Sequence, residues 1–146
     1  MKKFYKVLSL LFFSIGFLYS NTSNAQTHLV NSVADGTTVV TCGDYIYDSG
    51  GYSGNYGNNQ DYTVTYCSAD GGPIRLNIFV LDIETNFDYL YVHDGPSTAS
   101  TQVLALTGSG IVNDNPSWVV TSSGTCITLR FTSDGSVTGS GFEIGV

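Results

Sequence analysis

The chain has 146 residues and a formal net charge of −7, room enough for one domain that buries a core of its own. All three lysines, Lys2, Lys3 and Lys6, lie at its start, so the rest sets Arg75 and Arg130 against twelve acids. That balance argues against nucleic acid or an anionic membrane as partner and favours cations and basic protein patches.

In chain order, the lysines are followed by an apolar run from Val7 to Leu18 and a polar stretch from Ser20 to Asn24, with the small residues Ser23 and Ala25 before a cut. Residues 1–25 therefore read as a secretory signal peptide. The run is shorter than the roughly 20 apolar residues of a membrane helix, so no membrane anchor is expected. No cysteine follows it, which disfavours a lipid anchor as well. The predicted location is secreted and extracellular, and loss of the segment would leave a formal charge of −10, two arginines against twelve acids.

The remaining chain has the composition of an all-β domain, with short Val-, Ile-, Thr- and Tyr-rich runs between clusters of Gly, Asn, Asp and Ser. Strands are predicted at Thr37 to Thr41, Asp44 to Asp48, Tyr62 to Cys67, Ile74 to Ile83, Asp88 to His93, Gln102 to Thr107, Ser117 to Ser122, Cys126 to Thr132 and Phe142 to Val146. Ile74, Leu76, Ile78 and Val80 alternate in one strand, as do Ile127, Leu129 and Phe131 in another. Such alternation, with tight connections at Asp70-Gly71-Gly72-Pro73, Asp94-Gly95-Pro96 and Asp134-Gly135, predicts a two-sheet antiparallel β-sandwich. Leu76, Ile78, Val80, Leu90, Leu129, Phe131 and Phe142 are its predicted core.

A secreted chain reaches an oxidising compartment, and three cysteines are available there. Cys42 and Cys67 bracket the glycine-rich segment Asp48 to Asp61. Closing that loop would remove about 3.5 kcal/mol of unfolded-chain entropy. They are the predicted pair, leaving Cys126 unpaired.

The stretch from Leu81 to Gly95 carries most of the functional signal. It reads as the end of one strand, a turn bearing Glu84 and Asp88, and a second strand closed by Asp94-Gly95. Two carboxylates four residues apart around a turn suggest a small oxygen-ligand site at the end of a rigid sheet. Other constellations are weaker. A catalytic triad would have to use His93, which sits in a strand beside a turn, because His28 falls in an N-terminal stretch expected to be disordered. The run Gly50 to Gly57 lacks the lysine of a P-loop, and Gly51-Tyr52-Ser53-Gly54 is one residue short of a nucleophile elbow. No catalytic centre outweighs the structural reading of these residues, so no enzyme activity is expected. Tyr45, Tyr47, Tyr52 and Tyr56 crowd together and could stack on sugar rings or anchor a protein.

From Cys42 to the last residue the chain resembles the CUB domain, an extracellular β-sandwich module. The resemblance is carried by Cys42, Tyr47-Asp48-Ser49-Gly50-Gly51, Gly54-Asn55-Tyr56, Leu81-Asp82-Ile83-Glu84, Phe87-Asp88-Tyr89-Leu90, His93-Asp94-Gly95, Ser122-Ser123-Gly124, Phe131-Thr132-Ser133-Asp134 and Gly141-Phe142. Each fragment is weak alone, and their order and spacing are specific. The division implied is a signal peptide at 1–25, an N-terminal lead-in at 26–41 and a CUB-like jelly roll at 42–146.

The resemblance implies recognition of proteins or glycans without chemistry, and a calcium site. Matched residue by residue, the implied ligands are Glu84, Asp88 and Asp134, with backbone carbonyls around Ser136 and Val137 and with Tyr56 in support. All are hard oxygen donors, which suits Ca2+ and not zinc. The chain departs from the animal pattern at Phe87, where a cysteine is expected, and in the three-residue link from Glu84 to Asp88. It also stops at Val146 without the further cysteine that bacterial relatives pair with the equivalent of Cys126. The predicted function is a secreted, non-enzymatic, calcium-dependent module for protein recognition or adhesion, offering carboxylates to a lysine or arginine. The alternatives are a carbohydrate-binding module using Tyr52 and Tyr56, and the accessory domain of a truncated extracellular hydrolase.

Overall fold

The computed structural model describes residues 24–111 and 118–146. The segment predicted as a signal peptide lies, up to residue 23, outside them. Eleven strands are formed among the described residues: β1 (Thr27–Leu29), β2 (Thr37–Thr41), β3 (Tyr45–Tyr47), β4 (Asp61–Ser68), β5 (Arg75–Asp82), β6 (Tyr89–Asp94), β7 (Thr101–Leu106), β8 (Ser109–Ile111), β9 (Val119–Thr121), β10 (Cys126–Thr132) and β11 (Gly141–Gly145). No helix among the described residues is long and apolar enough to cross a membrane.

The strands make a β-sandwich, as the alternation predicts. One sheet runs β1-β3-β11-β5-β8 with β9 also paired to β5, and the other runs β2-β4-β10-β6-β7. Both sheets are mixed and not purely antiparallel, because β1 pairs β3 and β2 pairs β4 in parallel. β1 and β8 were not among the predicted strands, and β1 places His28 inside the sheet, correcting the expectation that its surroundings are disordered. His28 Nε2 lies 2.9 Å from Asp44 Oδ2, an oxygen that also accepts the Thr41 hydroxyl.

The core fills the space between the sheets. Leu76, Ile78, Leu90, Leu129, Phe131 and Phe142 are buried as expected. Phe131 lies on the central strand β10, edge-on to Tyr56 at 5.1 Å and to Phe142 at 5.4 Å between ring centroids. Val80 is the exception, only half-buried. The β5–β11 register pairs Ile144 with Ile78 and Glu143 with Val80, so Phe79 is an extra residue and β5 carries a bulge. The bulge reverses the alternation: Ile74, Leu76 and Ile78 face the core before it, Leu81 and Ile83 after it.

The predicted Cys42–Cys67 pair is not formed. Cys67 and Cys126 stand directly opposite each other in the antiparallel β4–β10 ladder, with Cα atoms 4.1 Å apart, and are bonded. Cys42 lies just beyond β2, exposed and free. Strand register, which brings together residues 59 positions apart, decides the pairing over proximity along the chain.

A buried carboxylate sets the loop that follows β3. Asp48 accepts the Gly50 N–H at 2.8 Å and the Phe142 N–H at 2.9 Å, tying the end of β3 to the start of β11. Burial pushes its carboxyl above the usual range, against those backbone donors. Gly141 has φ +80° and passes so close that a Cβ there would stand 1.7 Å from Asp48 Oδ2, so only glycine fits.

Candidate metal centre

The turn from β5 to β6 brings Glu84 and Asp88 together. The Asp88 N–H donates to the Glu84 carbonyl at 3.1 Å, and Asn86 takes the left-handed conformation at φ 68° that lets so short a link close. The turn is braced from β7's end: Thr107 Oγ1 donates to the Glu84 carbonyl at 3.1 Å and accepts the Asn86 N–H at 2.7 Å. Phe87, at the position where the family pattern expects cysteine, points into solvent.

Asp134 arrives from the loop after β10. Its N–H donates to Asp88 Oδ1 at 2.9 Å, which links the two loops, and its own Oδ1 accepts the Ser136 N–H at 2.9 Å. Asp88 is fully buried, and its other oxygen accepts the Tyr56 hydroxyl hydrogen at 2.5 Å. That hydroxyl in turn accepts the Glu84 N–H at 3.0 Å. Tyr56 therefore belongs to this site and is not available as a stacking surface. Burial, then the neighbouring Asp88 carboxylate, pushes its pKa up to about 12, so it remains a hydrogen-bond donor throughout the physiological range.

One oxygen from each of Glu84, Asp88 and Asp134 lies within 4.8 Å of the others. Desolvation, then repulsion from Asp134 and Asp88, holds the Glu84 carboxyl above its usual range. Glu84 Oε2 is buried and has no hydrogen-bond partner. Three convergent carboxylates with one buried oxygen left over fit a hard divalent cation, and the donor set has no nitrogen or sulfur to prefer zinc. Ser136 and Val137 follow Asp134 in the same exposed loop, Val137 in the left-handed region at φ 54°.

The histidines make no such centre. His93 is buried on β6 with Nδ1 3.2 Å from the Ser100 carbonyl, while His28 is engaged with Asp44. The glycine-rich run is a tight loop, in which a Cβ at Gly50 would meet the Asn55 carbonyl oxygen at 2.4 Å.

The CUB domain family model matches residues 36–145. The chain belongs to the CUB family. It is 36% identical to dog (Canis lupus familiaris) cubilin and 37% identical to rat (Rattus norvegicus) cubilin, each over 99 residues. The match takes in 65% of this chain and about 3% of either cubilin's length. Among solved structures, the MASP-1 CUB2 domain bound to Ca2+ superposes with a TM-score of 0.61 at 19% identity, over 76% of this chain and 96% of that one. The full extracellular region of zebrafish Gpr126/Adgrg6 matches with a TM-score of 0.59 at 18% identity, over 74% of this chain and 14% of that one. At these identities the superpositions establish a shared CUB fold.

Proposed function

We propose that this CUB domain is a secreted, non-enzymatic module that recognises or adheres to a protein in a calcium-dependent way. Glu84, Asp88 and Asp134 would supply the carboxylate ligands, the carbonyls around Ser136 and Val137 further oxygens, and Tyr56 would hold Asp88 in place. The observation that carries the reading is the convergence of the three acids around the unpartnered, buried Glu84 Oε2. The bound cation would offset their mutual repulsion and stiffen the loops at that end of the sandwich. Glu84 would then present remaining carboxylate character to a lysine or arginine of the partner, in keeping with an acidic chain. The leader-like pattern of residues 1–25 and the Cys67–Cys126 bond support the reading of an extracellular, oxidising location.

Capture of extracellular proteins on the immobilised domain tests this reading. Partners held in calcium should be released by chelator and by raised salt, and should not be held by Glu84→Gln. Capture indifferent to all three would contradict it.

A further inference from the structure

The outer face of the six-stranded sheet carries a second concentration of functional groups, built from residues other than the three acids. Tyr45 and Tyr47 flank the core-facing Ile46 on β3, so both side chains lie on the outer face of the sheet, Tyr45 exposed and Tyr47 largely covered by its neighbours. Phe79, the bulge residue of β5, reaches across β11 over Gly145, where a Cβ would stand 2.7 Å from its ring. The absence of a side chain at Gly145 lets the aromatic surface continue from β5 to β3. Ring centroids follow one another at 6.5 Å from Phe79 to Tyr45, 6.5 Å from Tyr45 to Tyr47 and 6.0 Å from Tyr47 to Tyr52. Tyr52 is 82% exposed in the loop after β3.

Polar groups border this ribbon on one side. The Glu143 carboxylate stands beside the Tyr47 hydroxyl. A shallow depression of about 70 Å³ between Tyr47, Tyr52, Val80, Ser140 and Glu143 adjoins, through Val80 and Ser140, a larger cleft of about 420 Å³ at Asp82, Ser109 and Gly110. Asp82 Oδ2 accepts both the N–H and the hydroxyl of Ser140, at 3.0 and 2.9 Å, which fixes that carboxylate at the rim of the cleft.

We propose that this face binds a neutral oligosaccharide, whose pyranose rings lie on Tyr45 and Tyr52 while their hydroxyls bond to Glu143, Asp82 and Ser140. Tyr45 is near-parallel to Tyr47 and Tyr52 stands edge-on to it, so the phenol rings offer separate apolar contacts, with carboxylate and hydroxyl partners to one side, that match the apolar C–H groups and directional hydroxyls of a sugar. The charge selects the class of ligand. Glu143 borders Tyr47 and Tyr52, and Asp82 lines the adjoining cleft, so a sulfated or uronic glycan would meet like charge along this face. Arg130 is on the other sheet, bidentate to Asp61 with both bonds at 2.7 Å, and Arg75 opens β5 at the opposite end from Asp82. The site is independent of the calcium reading and predicts binding that survives both chelator and salt.

Affinity electrophoresis in gels containing laminarin, mannan or xylan, and calorimetry with soluble cello- and chito-oligosaccharides, all in chelator, test the proposal. At least one neutral glycan should retard or bind the domain. Tyr52→Ala and Tyr45→Ala should each weaken that binding at least tenfold while melting like the parent, and Tyr89→Ala, on the opposite sheet, should leave it unchanged. Failure of every glycan to bind would overturn the proposal. So would binding that Tyr52→Ala and Tyr45→Ala leave intact, or that Tyr89→Ala removes.

Discussion

The Tyr56 hydroxyl bridges the candidate metal centre, donating to Asp88 Oδ2 at 2.5 Å while accepting the Glu84 N–H at 3.0 Å. One side chain from the β3–β4 loop thus holds both ends of the β5–β6 turn, and its ring packs edge-on against Phe131 in the core. Removing only the oxygen separates these roles. Tyr56→Phe should keep the ring contact yet leave a buried carboxylate oxygen and a turn N–H without their partner, costing about 1 to 3 kcal/mol. Denaturant unfolding in chelator measures the loss. A variant as stable as the parent would mean that the bridge contributes nothing.

The disulfide is a second test. Peptide mapping under non-reducing conditions should recover Cys67 linked to Cys126 and Cys42 as a free thiol. Replacing Cys67 and Cys126 together by alanine should destabilise the domain by about 4 kcal/mol, the loop-closure value for a loop of this length. Cys42→Ala should change stability little, and a Cys42–Cys67 peptide would contradict the β4–β10 register.

Asp44 should govern part of the acid limb of stability. Burial works to raise its pKa, but the Gln26 N–H at 2.8 Å, His28 at 2.9 Å and the Thr41 hydroxyl at 2.8 Å outweigh burial and hold the carboxyl below its usual range. A carboxyl depressed in the folded state contributes stability above its unfolded pKa of about 4 and loses it as pH falls through the folded value. The parent should therefore lose more stability than Asp44→Asn between about pH 5 and pH 2. If the leader is cut after Ala25, the Gln26 nitrogen becomes an ammonium group at this same contact. A chain beginning at Gln26 should then show a steeper acid loss than one retaining upstream residues. Equal slopes for parent and Asp44→Asn would dismiss the role of this carboxylate.

The legible parts of the fold were those governed by period-2 burial. β2 and β10 fall where alternation and β-branched residues place them, and Phe131, Leu129 and Ile127 face the core together. The bulge at Phe79 was not legible, because an extra residue on one strand is defined only by the partner it faces. β1 and β8, three residues each, are too short to show a period and gain their place through pairing with β3 and β5. The Cys67–Cys126 bond failed to show for the same reason: it is a property of register across 59 positions. Glu84 and Asp88 could be read together because the turn that joins them is local. Asp134 and Tyr56 came only through the family's motif order, since hydrogen bonds to Asp88 from distant loops bring them in.

Calcium titration of thermal and denaturant unfolding tests the central claim most directly. If the ion binds the folded domain alone, stability should rise by RT ln(1 + [Ca2+]/Kd), about 2.7 kcal/mol at a hundredfold excess. An extracellular site can have a Kd of up to about a millimolar, so the titration must extend well beyond that. Asp88→Asn and Asp134→Asn should abolish the rise, and magnesium should replace calcium poorly because it demands a smaller octahedral shell. A melting temperature that is the same in chelator and in saturating calcium would contradict the assignment of Glu84, Asp88 and Asp134 as a calcium site.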